Sequence, residues 1–327
     1  MDGPSPHMAM PLQQRDASPL PVGETNRASR AQNSQAALDV VRLGRLIERT
    51  RGSPQIAIGL IDGPVALDHP HLAAAAVRSV STDIASACSS ASSEACRHGT
   101  LVAGALVGAR DSGAPAICPD CTLLIRPIFL EAQSARGQVP TASVEEVAAA
   151  IVETIDAGAS ILNLSVAVAE PSTRAERRMH EALDYAARRG VIVVAAAGNQ
   201  GTLGSSAITR HLWVISVTAC DLKGKPMADS TLSHSAGKRG LAAPGEGIVS
   251  LAPEATMQWF SGTSAAAPFV TGSIALLKSL FPAATGGQLR FAITGSDAPR
   301  RATVIPPLLD AFGAYQRMSW RKAQATT

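Results

Sequence analysis

The sequence predicts an α/β fold in which helices cover both faces of a mostly parallel central sheet. Short aliphatic runs such as 56–61 and 191–197 alternate with helical segments such as 144–157, and this alternation is typical of a parallel sheet. Of the 327 residues, 46% are apolar and only 3% are aromatic, so alanine and branched aliphatic residues must form the core. The same composition excludes a disordered or fibrous chain.

The individual elements can be placed in order along the chain. The helix at 144–157 has Ser143 as its predicted N-cap and two glutamates in its first turn, which favour the helix dipole. The strands are predicted over 56–61, 122–130, 161–168, 191–197 and 213–219, with short extended pieces at 241–243 and 248–251. The other helices are predicted over 38–51, 173–189, 264–280, 287–294 and 308–317, and a loop leads into a further helix over 93–108.

One folded domain is expected between two tails. Residues 1–35 contain five prolines and no Phe, Trp or Tyr, which predicts a disordered, Pro-rich N-terminal tail. No Gly/Ser-rich linker or internal repeat divides residues 36–320, so they are assigned to a single domain. Residues 321–327 are assigned to a C-terminal tail.

Charge and hydropathy exclude two classes of partner. The 29 basic and 26 acidic residues give a net charge of +3 and are scattered, which does not match a nucleic-acid-binding surface. The longest apolar run, 191–197, is far shorter than the roughly 20 residues that a membrane span requires. No signal peptide is recognised at the N-terminus, so a cytoplasmic protein is expected.

Three short segments place a reactive residue at the end of a predicted element, where open α/β sheets bind their ligands. They are the strand end at Asp62, the helix start at His98 within 97–104, and the helix start at Ser264 within 261–268. Glycines in each segment permit close backbone approach or a positive φ.

These residue types together meet the needs of nucleophilic catalysis. A serine hydroxyl such as that of Ser264 is a poor nucleophile near pH 7 unless an imidazole, here His98, takes its proton. The imidazole in turn needs a carboxylate, here Asp62, to fix its tautomer and stabilise the imidazolium. The backbone N–H of Ser264 and the side chain of Asn199 are the predicted donors to a developing oxyanion.

The chain order Asp62, His98, Ser264 resembles that of the subtilase (subtilisin-like, S8) serine peptidases. The resemblance extends over about residues 38–317 and includes the blocks 195–199 and 241–245. It implies a subtilisin-like three-layer fold and a serine endopeptidase that cleaves peptide bonds. That chemistry requires no cofactor and no catalytic metal. Structural Ca²⁺ is frequent in the family, but no acidic loop in this sequence indicates a site for it.

Within that family the sequence is most similar to the proteases that mature cyanobactin-type ribosomal peptides. The similarity lies in 41–65, 118–129 and 157–165, and it implies a leader-bearing precursor peptide as substrate. The macrocyclising members insert a capping element between the catalytic Asp and His. Here the two positions differ by 98 − 62 = 36, which leaves little room for such an element, so hydrolysis is expected rather than transpeptidation.

Two segments are predicted to bind an extended peptide substrate. The first would pair with the substrate as an added strand and consists of Ser165, Val166 and Ala167. The second has small side chains that leave a specificity pocket open and consists of Ala195, Ala196, Ala197 and Gly198. The stretch 137–139 is either the other wall of the cleft or an ordinary surface loop.

The cysteines leave the redox state open. Free thiols are the default expectation for a cytoplasmic chain, and a disulfide between Cys88 and Cys96 would need an oxidising compartment. A zinc site built from these two with Cys118 and Cys121 is disfavoured, because the first pair is not spaced like zinc ligands. Cys220 is predicted to be a small buried apolar residue.

Two other functions remain open. A general degradative subtilase whose export signal is missing from this sequence would carry the same motifs. A non-catalytic peptide-binding module would keep the cleft as a strand-pairing groove, but none of Asp62, His98 and Ser264 has been lost. Broad digestion of casein would separate the first alternative from peptide maturation, and an active-site probe separates the second.

Overall fold

A computed structural model describes residues 7–9, 24–81, 85–131, 140–168, 173–295 and 303–325. Its strands are β1 (His7–Ala9), β2 (Ala57–Asp62), β3 (Ala76–Ser79), β4 (Thr122–Pro127), β5 (Thr141–Ser143), β6 (Ile161–Leu164), β7 (Ala167–Val168), β8 (Ile192–Ala196), β9 (Ile215–Cys220), β10 (Leu241–Pro244), β11 (Ile248–Ala252) and β12 (Thr256–Phe260). Seven of them form a sheet in the order β10-β9-β8-β6-β2-β4-β3. Every pair in that sheet is parallel.

The helices are α1 (Glu24–Val40), α2 (Gly44–Ile47), α3 (Glu94–Val107), α4 (Val144–Asp156), α5 (Thr173–Arg189), α6 (Ala207–Arg210), α7 (His234–Arg239), α8 (Thr263–Leu280), α9 (Gly286–Thr294) and α10 (Ala311–Ala325). Among the residues that the structure describes, no helix is both long enough and apolar enough to cross a bilayer.

Two apolar cores lie on opposite faces of the seven-stranded sheet. Side chains alternate between the faces along each strand, so that in β2 Ile58 and Leu60 enter one core while Ile61 enters the other. Helices α3 and α8 pack in the first core, and α4 and α5 pack in the second. The fold therefore has three layers, with a parallel sheet between two layers of helices, and it confirms the predicted fold class.

Two smaller sheets flank the central one. Strands β11 and β12 form an antiparallel hairpin, and β1 lies between β5 and β7 and is antiparallel to both. Neither the short strands β3, β5 and β12 nor β1 was expected, because runs of three to five residues carry little periodicity.

The ends of the chain differ from the prediction. A disordered tail was expected over 1–35, yet that range contains β1 and most of α1. Helix α1 buries Ala37 and Ser34, and the Ser34 hydroxyl donates to the Gly113 carbonyl at 2.7 Å. Small and polar residues of this kind give no apolar periodicity, so the sequence did not predict that a helix begins well before residue 38. At the other end α10 continues to Ala325, beyond the expected boundary at 320.

The carboxyl ends of three neighbouring strands bring the predicted site residues to one edge of the sheet. Strand β2 ends at Asp62, β6 ends one residue before Ser165, and β8 leads into Gly198 and Asn199. Because the strands are parallel, these ends lie on the same side of the sheet. Helix α8, whose second residue is Ser264, packs against α3 in the layer beneath.

Candidate active site

Asp62 is held at the end of β2 by its own backbone and by close packing. Its side chain is fully buried, and the Gly63 N–H donates to Asp62 Oδ1 at 2.7 Å. A Cβ on Gly63 would overlap the Ala95 carbonyl in the first turn of α3. Only glycine fits here, and the loop after β2 therefore rests directly on the helix that carries His98.

His98 is bonded to Asp62 in the structure. The distance from His98 Nδ1 to Asp62 Oδ1 is 2.7 Å, and the imidazole is also buried. A carboxylate partner assigns the proton of the neutral ring to Nδ1, which leaves Nε2 as the acceptor. The helix start is further fixed by Thr100, whose hydroxyl donates to the Cys96 carbonyl and accepts from the Ala66 N–H.

Ser264 lies in the first turn of α8, behind a sharp backbone turn. The N-cap residue Gly262 has φ +114°, a conformation that disfavours other residues, and its N–H donates to the Gly245 carbonyl at 2.7 Å. The first N–H groups of a helix have no intrahelical carbonyl to bond. The backbone N–H of Ser264 is one of these groups, so α8 presents a hydroxyl and an amide donor together.

Asn199 is oriented by Thr263, the residue before Ser264. Asn199 Oδ1 accepts from both the N–H and the hydroxyl of Thr263, each at 2.9 Å. The Gly198 N–H donates in turn to Thr263 Oγ1 at 3.2 Å. Since both bonds use the oxygen, the NH₂ end of Asn199 is its donor end. Thr263 is a positioning residue that the sequence reasoning missed, although it lies within the 261–268 segment.

Three buried side-chain atoms of this site have no hydrogen-bond partner among the residues that the structure describes. Within the described residues, neither His98 Nε2 nor Ser264 Oγ has a hydrogen-bond partner, and the same is true of Asp62 Oδ2. The structure thus brings Asp62 together with His98 and sets Asn199 beside the start of α8, but records no bond between His98 and Ser264. Such bonds are often loose without substrate and tighten in the complex.

The family follows from comparison of the whole chain. A profile described as the subtilase family, peptidase S8, matches residues 53–311. The chain belongs to the subtilase family of serine proteases. The match spans every element from β2 to the start of α10.

Individual relatives of this subtilase are distant. It is 29% identical over 324 residues to mycosin-4 of Mycobacterium tuberculosis, with 85% of this chain and 67% of that protein covered. It is 31% identical over 194 residues to the alkaline protease of Alkalihalobacillus alcalophilus, with 59% and 47% covered. The chain therefore spans about half to two thirds of these relatives. The solved structure of the prenylagaramide maturation protease PagA aligns with a TM-score of 0.73 and 27% identity, over 84% of this chain and 98% of that one.

The predicted substrate-binding residues of this subtilase lie at the same sheet edge. Ser165 and Val166 are buried between β6 and β7, and Ser165 Oγ accepts from the Asn163 side chain at 3.2 Å. Ala167 belongs to β7, where it pairs with Ala9 of β1. Ala195 and Ala196 are the last two residues of β8, Ala197 and Gly198 follow it, and Gly198 has φ +104°. The stretch 137–139 lies outside the described residues.

Two of the five cysteines form a disulfide that was not the default expectation, and the other three are free thiols as expected. Free thiols were the default, but Cys88 and Cys96 form a disulfide with a Cα–Cα distance of 5.5 Å, since the loop before α3 folds back on its first turn. Cys118, Cys121 and Cys220 are free and buried, and burial raises the pKa of the Cys220 thiol to about 12. Among the described residues, the single cluster with metal-ligand spacing contains the two disulfide sulfurs with Glu131, so it is not a zinc site.

Proposed function

We propose that this subtilase is a serine endopeptidase in which Ser264 is the nucleophile, His98 the general base and Asp62 the residue that orients the base. The observation that carries the proposal is the 2.7 Å bond between His98 Nδ1 and Asp62 Oδ1. It leaves Nε2 as the basic atom, and both Nε2 and Ser264 Oγ are buried without a hydrogen-bond partner among the described residues.

In the proposed reaction His98 Nε2 takes the Ser264 proton as the Oγ attacks the scissile carbonyl, and then gives it to the leaving amine. Asp62 stays ionised and stabilises the imidazolium, aided by the Gly63 N–H that also bonds its Oδ1. Water then hydrolyses the acyl-enzyme by the same proton transfers. Apart from the substrate and water, every group in the proposed reaction belongs to this chain, and the reaction requires no cofactor.

Charge on the attacked oxygen would be stabilised by two donors. The Ser264 N–H lies at the N-terminus of α8, where the helix dipole also favours a negative charge. The Asn199 NH₂ is the second donor, held by the two bonds from Thr263 to its oxygen. Donors fixed before the reaction need no reorganisation as charge develops, which is the reason such sites accelerate acyl transfer.

A fluorophosphonate probe tests the nucleophile. We expect the full chain to be labelled at Ser264, the Ser264→Ala variant to be unlabelled, and a matched Ser261→Ala variant to be labelled like the wild type. Peptide turnover by Ser264→Ala would overturn the triad. Failure of a folded wild type to react, with peptide binding retained, would instead indicate the non-catalytic binding module.

The substrate is proposed to be a ribosomally made precursor peptide that is hydrolysed at a defined position. Support comes from the likeness to PagA, whose name describes a maturation protease. It also comes from β5 and β7, which hold an extended segment, β1, between them as an antiparallel strand. Cleavage of a peptide library, read by mass spectrometry, should give a narrow motif and free carboxyl products. Cyclic products would instead show that the enzyme catalyses transpeptidation.

The disulfide favours a second candidate, general protein degradation in an oxidising compartment. Disulfides persist in secreted and periplasmic proteins and are rare in the cytosol, so Cys88–Cys96 weighs against the expected cytoplasmic location. A degradative enzyme would cut unfolded casein at many sites, whereas a maturation enzyme would leave most of it intact. The same library experiment therefore decides between the two.

A further inference from the structure

A buried chain of three side chains connects helix α8 to the end of strand β6. The Thr271 hydroxyl of α8 donates to Asn163 Oδ1 at 2.8 Å, and Asn163 Nδ2 donates to Ser165 Oγ at 3.2 Å. All three residues are fully buried. Ser165 begins the segment 165–167, called here the pairing segment because it was predicted from the sequence to pair with an extended substrate.

Asn163 is an unusual residue for its place in the sheet. Its neighbours in register are Leu60 of β2 and Val194 of β8, and both lie in the first core. Strands buried on both faces are apolar as a rule, and an amide in such a place needs hydrogen bonds at both of its ends. Thr271 and Ser165 provide them, so the chain of bonds fixes one orientation of the Asn163 side chain.

The hydroxyl of Thr271 is used differently from others in α8. The Ser273 and Ser279 hydroxyls donate to carbonyls one turn earlier in the same helix, whereas that of Thr271 crosses to the sheet. Thr271 lies 271 − 264 = 7 positions after Ser264, which is about two helical turns and places both residues on the same face of α8. The chain of bonds therefore joins the helix face that carries Ser264 to the segment that begins at Ser165.

We propose that Asn163 is a positioning residue that holds the pairing segment in register with Ser264, by bonding Ser165 at one end and Thr271 at the other. This inference rests on the proposed function, because it takes Ser264 as the nucleophile and 165–167 as a segment that binds substrate. A peptide paired with that segment meets Ser264 only where the segment places it. Misplacement of reacting groups by about 1 Å can lower a rate by about 10²-fold, so a displaced segment should slow peptide hydrolysis without altering the reactivity of Ser264.

Thr271→Val tests the proposal, because valine keeps the shape of threonine and lacks the hydroxyl. The matched control is Ser273→Ala, which removes an equally buried hydroxyl from the same helix and leaves the chain of bonds intact. Thr271→Ser keeps the donor and should behave like the wild type. Two rates are measured for each protein. The first is kcat for a fluorogenic peptide that the wild type cleaves, and the second is labelling by a small alkyl fluorophosphonate, which reacts with Ser264 without occupying the pairing segment.

We expect Thr271→Val to lower kcat for the peptide by about tenfold, with KM and the labelling rate within about twofold of the wild type. Amide hydrogen exchange at 164–168 should be faster in that variant and unchanged in Ser273→Ala. A residue that served only to stabilise the fold would not separate peptide hydrolysis from labelling in this way.

Ser165→Ala breaks the chain at its other end and should give the same pattern, which also provides the test if Thr271→Val does not fold. The double variant should be no slower than the slower single variant, because both substitutions interrupt one chain. Equal kcat and equal exchange in Thr271→Val and Ser273→Ala would overturn the inference, as would labelling that falls in parallel with peptide hydrolysis. A folded wild type that the fluorophosphonate does not label would count against the proposed peptidase instead, and exchange at 164–168 would still decide whether the chain of bonds holds the pairing segment.

Discussion

The starts of α3 and α8 hold His98 and Ser264, the proposed base and nucleophile, in different ways. Helix α3 is fixed covalently by Cys88–Cys96, and its His98 is already bonded to Asp62. The start of α8 has no covalent link of this kind: Thr263 donates two hydrogen bonds to Asn199, and the Ser264 hydroxyl has no partner among the described residues. The proposed base, His98, is thus already oriented by its bond to Asp62. The hydrogen bond that would orient the proposed nucleophile, Ser264, is expected to form when substrate binds.

This difference predicts where substitutions act. On the α8 side the anchoring atoms are also the proposed catalytic groups, so their loss should lower kcat. On the α3 side the disulfide supplies none of the proposed catalytic groups, so its loss should lower stability and leave kcat nearly intact.

Asn199→Ala is expected to have the largest effect among these anchors. It removes the proposed oxyanion donor and also the acceptor for both Thr263 bonds. Loss of the corresponding donor in subtilisin, a member of the same family, costs about 10²–10³ in kcat, and we expect a similar loss here with KM little changed. Steady-state kinetics on a cleaved peptide measures it, with the exposed Thr202→Ala on the same loop as control. A loss of less than about threefold would remove Asn199 from the mechanism.

Gly262→Ala should have the next largest effect. A Cβ at this position would lie 2.6 Å from Asn199 Nδ2, and the residue has φ +114°. Displacement of the donor should lower kcat by about 10- to 100-fold. The matched control is Gly158→Ala at φ +99°, where a Cβ meets nothing within 4 Å. The control should lose stability from backbone strain but keep kcat, and equal kcat values in the two variants would show that Gly262 does not position Asn199.

The site residues that the sequence could predict are those marked by local features of the chain. Asp62, His98, Ser264 and Asn199 were all found at element ends, because a strand end and a helix start are local features that periodicity and glycines mark. The parallel sheet and its helical layers were predicted for the same reason. Thr263 was overlooked because its role depends on a bond to Asn199, which is 64 positions away.

Features that depend on how the chain folds back on itself could not be predicted from the sequence. Strand β1 is only three residues long, and its partners in β5 and β7 lie more than 130 positions further along the chain. The spacing of Cys88 and Cys96 disfavoured a zinc site but was compatible with free thiols or a disulfide, and only the fold of the loop brings their Cα atoms to 5.5 Å. Local sequence carries no information on such pairings.

Removal of the disulfide tests the α3 side. In Cys88→Ser/Cys96→Ser we expect a loss of about 2–3 kcal/mol of unfolding free energy, the value for a loop of this length. The kcat should stay within about twofold, because the bond between His98 and Asp62 does not involve the disulfide. Urea unfolding and peptide kinetics measure the two quantities.

Thiol titration gives the control for that prediction. Denatured wild type should show three reactive thiols before reduction and five after it. Reductant should lower the Tm of the wild type and leave that of the double variant unchanged. A kcat that falls together with stability would contradict the division between the two helix starts.

The smallest expected effect concerns a histidine near the end of α3. His69 Nδ1 accepts from the His71 N–H, and its Nε2–H donates to the Thr256 carbonyl at 3.1 Å. The ring is therefore neutral in this arrangement. Burial lowers the pKa of His69 from 6.5, and the nearby His71 acts in the same direction, against the Thr256 carbonyl and Asp68.

Because the pKa of His69 is lower in the folded state, the unfolded chain takes up the proton first as the pH falls below about 6.5, and stability decreases. The Tm should therefore drop between pH 7.5 and 5.5, and His69→Asn should reduce that drop by about 1–2 °C, since asparagine still accepts from the His71 N–H but takes no proton. Part of the drop should persist, because burial lowers the pKa of His211 as well. Thermal melts at both pH values measure it, and an equal drop in the variant would show that protonation of His69 does not destabilise the region beside α3.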